Sequence, residues 1–317
     1  SRENCNAIIE TKTNALICGC KSTVIPESVA EIASGAFLEC SSLESIVIPE
    51  GLMVIGSGAF SLCSSLKDVV ISKSVKEIKW GAFNGCTGLQ DIVIPEGVTE
   101  IPNFAFYGCA GLKTVVIPSS VTVIGYSAFA SCASLRDVVI PLGVTEIERE
   151  AFFFCKSLRE VVIPLGVTEI KYSAFNCCES LREVVIPSSV TEIGAYAFYK
   201  CESLQKMVIP ESVTSIGEEA FTGSNSGNYI TRTVVCKAKT PPTIDTSVFL
   251  YNYVTLEVPF ASILAYKTIE GWHKVKNYNG TITYKSKEKG GIYYMPTSEN
   301  EVEVTNKDIN YNSYIGN

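Results

Sequence analysis

Thirteen cysteines and a single histidine are the residues from which chemistry would first be expected in this chain of 317 residues. Eight of the cysteines recur every 23 residues, at Cys40, Cys63, Cys86, Cys109, Cys132, Cys155, Cys178 and Cys201. A metal site or an activated thiol needs several groups gathered at one place, whereas this spacing puts one thiol into each of many similar segments. Free cysteine is among the most buried residue types. The spacing therefore predicts reduced, buried packing residues.

The remaining cysteines do not form a recognisable site either. They are Cys5, Cys18, Cys20, Cys177 and Cys236. The Cys18-x-Cys20 pair is too isolated for a zinc site. We expect Cys177 to be the most exposed thiol, although the repeat offers it no histidine or lysine partner. Because His273 is the only histidine, most Ser–His, Cys–His and histidine-ligated metal chemistry is excluded. We expect no metal and no cofactor.

Carboxylates also recur with the 23-residue period, at Asp68, Asp91, Asp137, Glu160 and Glu183 (the acidic row). Basic residues form the neighbouring row, one position earlier in the repeat, at Lys67, Lys113, Arg136, Arg159 and Arg182 (the basic row). Paired carboxylates serve glycoside hydrolysis, but acids with basic neighbours in many repeats predict a salt-bridged sheet surface. The sequence has no glycine-rich phosphate loop and no nucleophile elbow. We expect no enzyme and no catalytic residue, with a hydrolase using the acidic row as the less favoured alternative.

The period of 23 residues defines the elements that carry these side chains. Nine phenylalanines keep it without an insertion, at Phe37, Phe60, Phe83, Phe106, Phe129, Phe152, Phe175, Phe198 and Phe221. Within residues 112–134, the β-branched run from Val115 to Ile117 favours a strand, which Pro118 ends. No repeat has room for the helix of a βαβ unit. Each repeat therefore predicts one coil of a solenoid, with parallel strands stacked ~4.8 Å apart.

Alternation along the strand predicts that one valine per repeat faces away from the core. This valine row comprises Val24, Val47, Val70, Val93, Val116, Val139, Val162, Val185 and Val208. It is either a product of strand propensity and lateral stacking or the floor of a binding groove on the concave face. For the second reading we expect the ligand to contact Val93, Val116, Val139 and Val162, with Asp137 and Glu160 favouring a basic partner.

A second candidate surface consists of departures from the repeat. Leu142 and Leu165 follow proline where most repeats carry Glu, Ser or Lys. Phe153, Phe154 and Tyr172 occupy positions that Ser, Gly, Asn or Ala fill in several other repeats. Since a regular solenoid presents the same backbone in every coil, only such departures can choose a partner. They are either a partner site or incidental exposed apolar residues.

The pattern I-P-x-x-V-T-x-I-x-x-x-A-F-x-x-C-x-x-L, as in residues 163–181, resembles the BspA-like class of bacterial leucine-rich repeats. Residues 236–278 are similar to the closing segment of such arrays in proteins of gut Bacteroidales. The resemblance implies an α/β, mostly β fold, a right-handed leucine-rich-repeat solenoid with terminal caps. It also implies export, to the cell surface or as a secreted protein, and a role in adhesion or other protein binding.

Four segments are expected along the chain. Residues 1–19 form an N-terminal β-hairpin cap, 20–226 a nine-repeat array, 227–278 a C-terminal cap with a short helix, and 279–317 a β-hairpin appendage. We expect Ser262 to cap the short helix. The last segment resembles the opening hairpin of a further array, so it is either a terminal flap or the start of another module. The first residues lack an apolar signal core, and an export signal, with or without a lipid anchor, would belong to a removed segment.

Composition limits the partners. A net charge of -7 and an isoelectric point near 5.0 exclude a nucleic-acid binder that tracks phosphates, and no stretch approaches the ~20 apolar residues of a membrane span. We expect a monomeric, non-enzymatic adhesin that binds a protein or glycan. The alternative is a rigid spacer within a larger surface protein.

Overall fold

A computed structural model gives the structure of the protein. It describes residues 6–224, 230–269 and 271–272, and the backbone of residues 283–285, 288–289, 292–296 and 302–306. Cys5, His273 and the segment 225–229 lie outside the described residues.

Each 23-residue repeat forms one coil with two strands, except the first coil, which has only the second of them. The first strand of a coil (an A strand) lies just before the proline position: β4 Ser45–Ile48, β6 Asp68–Ile71, β8 Asp91–Val93, β10 Thr114–Val116, β12 Asp137–Val138, β14 Glu160–Val162, β16 Glu183–Val185 and β18 Lys206–Ile209. The second strand (a B strand) is shorter: β3 Glu31–Ile32, β5 Val54–Ile55, β7 Glu77–Ile78, β9 Glu100–Ile101, β11 Val123–Ile124, β13 Glu146–Ile147, β15 Glu169–Ile170, β17 Glu192–Ile193 and β19 Ser215–Ile216.

Successive coils pair in parallel with the register set by the repeat. Thr114 pairs with Asp91 on one side and with Asp137 on the other, and Ile124 of a B strand pairs in the same way with Ile101 and Ile147. The inward leucine, valine and isoleucine side chains form one continuous buried cluster along the array. No coil could bury its apolar side chains alone, so stacking of neighbours supplies the stability. The predicted mostly β solenoid is confirmed.

The third side of each coil is a turn that carries the phenylalanine. Consecutive rings from Phe37 to Phe221 are fully buried. Their centroids lie 4.9 to 5.5 Å apart and their planes diverge by at most 16°. The turn backbone also pairs between coils, since the amide of Phe129 donates to the carbonyl of Ala151 at 2.9 Å. This phenylalanine stack runs from coil to coil inside the solenoid.

The cysteine that follows each phenylalanine has a specific partner. Cys63 Sγ donates to the carbonyl oxygen of Phe37 at 3.1 Å, and the same bond recurs at 3.1 to 3.3 Å in every coil through Cys201. Burial raises the pKa of the Cys109 and Cys155 thiols to about 12. The sulfurs are free and buried from Cys63 to Cys201, which confirms the predicted packing role. Cys40 is the exception, because it is only half-buried.

A hairpin covers the first coil. β1 (Ile8–Ile9) pairs antiparallel with β2 (Ala15–Cys18), and β2 pairs parallel with β3. Gly19 lies directly over the first ring of the stack, since a Cβ there would come within 2.1 Å of Phe37 Cε1. A larger residue at this position would lift the hairpin off the core.

The coil continues past the last regular repeat. β20 (Ile230–Cys236) extends the A strands and β21 (Thr243–Ile244) the B strands, and a tenth phenylalanine, Phe249, stacks on Phe221 at 5.8 Å. β22 (Asn252–Glu257) follows, and then helix α1 (Ile263–Thr268). Trp272 is buried and closes the end against Phe249 at 6.1 Å.

The helix lies where it was expected, but its predicted cap is wrong. The side chain of Ser262 makes no capping hydrogen bond, because a 3₁₀ turn (Phe260–Ser262) runs directly into α1. The remaining strands are β23 (Thr283–Lys285), which pairs with β22, and β24 (Glu288–Lys289), β25 (Ile292–Pro296) and β26 (Val302–Asn306), which pair antiparallel. The division into four segments stays a prediction.

A buried arginine marks the end of the regular array. Arg232 lies on the inward side of β20, one residue before Thr233, which pairs with Lys206, and it is fully buried. Its guanidinium donates at 2.8 Å to the carbonyls of Leu204 and Cys201 and to Asn252 Oδ1. Asn252 Nδ2 in turn donates to the carbonyl of Phe221 at 2.7 Å. Arg232 and Asn252 thereby supply donors to the carbonyls of Leu204 and Phe221, and Arg232 adds a second donor to the Cys201 carbonyl, which also accepts from the amide of Leu204. Burial lowers the pKa of Arg232 to about 10.

Candidate functional site

The valine row lies on the solvent side of the A strands, as the alternation predicts. Val116 is 55% exposed and Val139 is 81% exposed, whereas their neighbours Val115 and Val138 are buried. The same outward exposure holds for Val24, Val47, Val70, Val93, Val162 and Val185, and Val208 is partly exposed. Strand pairing puts Val93 beside Val116 and Val162 beside Val185. The result is an unbroken apolar stripe along the solenoid.

The acidic row lies beside the valine row on the same face. Asp137, Glu160 and Glu183 occupy paired positions on successive A strands, and their side chains are exposed. The predicted salt-bridged surface is wrong: within the described part of the chain, no member of the acidic row or the basic row makes an ion pair within 4.0 Å. An exposed pair gains little, because ordering two long side chains offsets its Coulomb attraction.

Instead, side chains on this face bond to their equivalents in neighbouring coils. The hydroxyl of Thr114 donates to the carboxylate of Asp91, and Lys113 Nζ donates to Gln90 Oε1 at 3.0 Å. Arg136, Arg159 and Arg182 are exposed on three successive coils. The face therefore carries parallel stripes of basic, acidic and apolar side chains whose charges are open to a partner.

Leu142 and Leu165 extend the apolar stripe in two adjacent coils. They are 82% and 69% exposed. Each leucine comes directly after the proline of its repeat. Leu142 is three residues after Val139 of the valine row, and Leu165 is three residues after Val162. The broadest apolar area of the outer face is therefore in the coils that contain these four residues.

Phe153 and Phe154 lie on a different side of the coil from these leucines, in the turn that follows the B strand. Both are half-buried, and their ring centroids are 5.2 Å apart. Lys156 Nζ lies 4.6 Å from the Phe154 centroid and 2.8 Å from Glu179 Oε1. The predicted grouping of Leu142 with these phenylalanines is thus divided between two surfaces of the solenoid.

The structure adds a cluster of aromatic rings that the sequence reasoning missed. Phe104 is at its centre, with its ring centroid 5.5 Å from Trp80, 5.6 Å from Tyr107 and 5.0 Å from Tyr126. Trp80 and Tyr107 are exposed. The signal was available, because serine or glycine occupies the Trp80 and Phe104 positions in the first two repeats.

Tyrosines form a second such group further along the same turn edge. Tyr172 is exposed, and its ring lies 5.7 Å from that of Tyr196, which lies 5.6 Å from Tyr199. Tyr172 was expected from its departure from the repeat, whereas its two partners were not. The aromatic departures therefore collect along the turn edge of the solenoid rather than on the valine face.

The expectation for Cys177 is wrong. Its side chain is buried, and burial raises the pKa of its thiol. Cys177 follows the buried Phe175 by two residues, a position that takes a left-handed backbone, with φ of 59° at Cys177 and 62° at Phe154. The backbone conformation alone does not bury the thiol, because Leu62 at the equivalent position has a φ of 61° and is exposed. The exposed thiol among the described residues is Cys18.

A shallow depression lies on the face of the B strands. It is lined by Thr145, Glu146, Gly166, Thr168, Glu169 and Lys171. Lys171 Nζ lies 2.5 Å from Glu148 Oε1 and 3.4 Å from Glu146 Oε2. The ammonium thus pairs with two local carboxylates and offsets one of their two negative charges, so the depression is a structural ion-pair network rather than a pair of free acids.

Two general features of the described residues bear on function. They contain no group of three or more His, Cys, Asp or Glu side chains arranged to hold a metal ion. Their helices are too short and too polar to cross a lipid bilayer.

Parallel coils, inward leucines and a buried phenylalanine stack define a solenoid of leucine-rich repeats. The family model for the BspA type leucine-rich repeat region matches the chain in six copies, over residues 9–136 and 122–254. The chain belongs to this family. No curated protein matches the sequence.

Several solved structures of bacterial proteins are similar to this chain. A leucine-rich repeat protein of T. pallidum is 27% identical with a TM-score of 0.45, over 64% of this chain and 89% of that chain. A leucine-rich cell surface protein of Faecalibacterium prausnitzii is 28% identical with a TM-score of 0.46, over 86% of this chain and 80% of that chain. The pneumococcal vaccine antigen PcpA is 18% identical with a TM-score of 0.49, over 83% of this chain and 72% of that chain.

Proposed function

We propose that this protein is an exported, non-enzymatic ligand-binding module of the bacterial surface, and that it binds a protein through the outer face of the A strands. The observation that carries the proposal is the valine row, an exposed apolar stripe that continues through eight coils. Soluble proteins rarely expose a contiguous apolar patch of this extent unless it is an interface. Secretion and lipid anchoring at the cell surface both fit this role.

The charged stripes beside the valines support a protein ligand. Neither the acidic row nor the basic row is neutralised by internal ion pairs, so a partner does not have to displace one. Complementary charges at an interface favour association rate and register over affinity. Burial of Val139, Val162, Leu142 and Leu165 would then supply the affinity, since these residues are among the most exposed apolar side chains of the molecule.

The test uses the fluorescently labelled chain and cultured epithelial cells as the binding surface. The double variant Val139→Asp/Val162→Asp should weaken binding at least tenfold, equivalent to about 1.4 kcal/mol. The matched control is Ser119→Asp, because Ser119 is an exposed residue at the position that Leu142 fills one coil later. Both variants should keep the melting temperature of the parent chain.

The turn edge is the competing surface. The variant Phe153→Ser/Phe154→Gly should leave binding intact if the valine face is the site, and should weaken it tenfold if the turn edge is. A glycan ligand is separated from a protein ligand by treating the cells with protease or with glycosidases before binding. Saturable binding that survives the Val139→Asp/Val162→Asp change would contradict the proposed site.

A rigid spacer is the second candidate, and the continuous phenylalanine stack favours it. Rings spaced at 4.9 to 5.5 Å through nine coils make a continuous internal stack that needs no ligand. If the protein is a spacer, the parent chain should show no saturable binding to the cells, and none of the surface variants should change the amount bound.

A further inference from the structure

Three thiols gather where the N-terminal hairpin meets the first coil. The sulfurs of Cys18 and Cys40 each lie 3.8 Å from the carbonyl oxygen of Gly19, so they are separated by at most twice that distance. Cys20 Sγ points elsewhere, at 3.4 Å from both the carbonyl oxygen of Asn6 and Ser22 Oγ. Cys40 thus shares the Gly19 carbonyl with Cys18, and Cys20 is near enough to act on it electrostatically.

This cluster differs from the rest of the cysteine ladder in access to solvent. Cys18 is exposed, and Cys20 and Cys40 are half-buried, whereas the ladder cysteines from Cys63 onward are buried. Each later ladder cysteine donates to a phenylalanine carbonyl, whereas Cys40 Sγ lies against the carbonyl oxygen of Gly19 in the hairpin. Burial raises the pKa of the Cys40 thiol, and the neighbouring Cys18 and Cys20 thiolates raise it further. The thiols are therefore close enough to influence one another.

We propose that Cys18 and Cys40 form a disulfide when the protein meets an external disulfide, and that this bond fastens the hairpin over the open end of the solenoid. The Cys18 thiolate, having released its proton to water, attacks the external disulfide and expels one thiolate. The Cys40 thiolate then attacks the Cys18 sulfur and expels the second. Two protein thiols are oxidised to one disulfide, and one external disulfide is reduced to two thiols.

A bond at this position would stabilise the packing of the hairpin on the first coil. Gly19 covers the Phe37 ring, and its amide donates to the carbonyl of Ala36 at 2.9 Å. The end coil of a solenoid lacks a neighbour on one side, so it is the part most prone to open. A link between residues on either side of this contact keeps the cap closed over the first phenylalanine. A metal ion is the less suited occupant, since the described residues offer no metal-ligand group. The inference does not depend on the proposed function.

The test treats the full chain with oxidised glutathione and locates disulfides by mass spectrometry. Cys18 and Cys20 fall in one tryptic peptide, residues 13–21, so variants make the assignment. The link should form in the parent chain and in Cys20→Ser, and should be absent from Cys18→Ser and Cys40→Ser. Cys63→Ser is the ladder control and should retain the link.

Amide hydrogen exchange provides a readout of the cap itself. Oxidation should slow exchange at Gly19 at least tenfold in the parent chain and in Cys20→Ser, and dithiothreitol should reverse the change. Exchange in Cys18→Ser should not respond to oxidation. A link that needs Cys20, glutathione adducts without a Cys18–Cys40 link, or an unchanged exchange rate would each overturn the proposal.

Discussion

Phe129→Ala removes one ring from the middle of the phenylalanine stack. Phe129 is fully buried, and its ring centroid lies 5.3 Å from that of Phe106 and 5.5 Å from that of Phe152. Phenylalanine to alanine changes in cores cost about 3–5 kcal/mol through lost burial and the residual cavity. Since two well-packed ring contacts are lost together, we expect the upper part of that range, about 4–5 kcal/mol.

The assay combines urea unfolding with hydrogen exchange resolved by coil. The urea midpoint should fall, and exchange should accelerate most in the coils containing Phe106, Phe129 and Phe152, because each coil depends on its immediate neighbours. The matched control is Phe153→Ala, one residue along in the same turn, where the ring is only half-buried. It should cost about 1 kcal/mol or less, as is usual for changes near a surface.

Equal losses for the two variants would refute the assignment of inward and outward residues in the turn. An unchanged unfolding free energy for Phe129→Ala would show that the stacked rings do not stabilise the fold. Acceleration confined to the ends of the array, away from the substituted coil, would contradict the nearest-neighbour coupling.

Two further predictions concern the buried thiols and the buried arginine. Cys109, Cys155 and Cys201 have an ordinary pKa of 9.0 that burial raises to about 12, so the stability they contribute is complete below pH 9 and is lost as the pH rises from 9 to 12. Each of these thiols lowers the unfolding free energy by about 1.4 kcal/mol per pH unit in that window. The urea midpoint of the parent chain should therefore fall between pH 8 and pH 10.5, and the midpoint of Cys109→Ala should fall less steeply. A parent midpoint that does not change with pH would contradict this. Arg232→Leu places an apolar side chain inside the coil but removes the donors to the Leu204 carbonyl and to Asn252 Oδ1, so unfolding free energy should drop by about 1.5–3 kcal/mol; an unchanged midpoint in urea would show that these acceptors find other partners.

The repeat made most of the architecture predictable. Because proline, phenylalanine and cysteine recur without an insertion, the register of Thr114 with Asp91 and Asp137 follows from the period alone. The outward direction of Val116 follows from strand alternation. Local pattern and tertiary arrangement agree in every coil, which is the condition under which sequence reasoning works.

Features outside the repeat were predicted less well. Cys177 looked exposed because its neighbour Cys178 holds the ladder position, but its side chain is buried, and the left-handed backbone that it shares with the exposed Leu62 gives no sign of this. The charged rows looked paired because opposite charges adjoin in sequence, yet the sequence carries no information on which rotamers exposed side chains adopt. The cluster around Phe104 required comparison of three successive turns, since its rings come from different coils.

The buried Arg232 shows a different limit. By the register of β18 with β20 it corresponds to Gln205 of the preceding coil, yet its side chain is fully buried. The reason is apparent only once the coil is closed, where three acceptors converge on it. A buried cation is stable when its donors are fully satisfied, and that condition cannot be read from local sequence.

The direction of the valine row is the claim on which the account of function rests, and thiol accessibility measures it directly. In a chain with Cys18, Cys20 and Cys40 changed to serine, Val139→Cys and Val138→Cys place a thiol on either side of one strand, at positions 81% and 7% exposed. We expect Val139→Cys to react with a water-soluble maleimide under native conditions and Val138→Cys to react only after denaturation. Rapid native labelling of Val138→Cys, with protection of Val139→Cys, would contradict it.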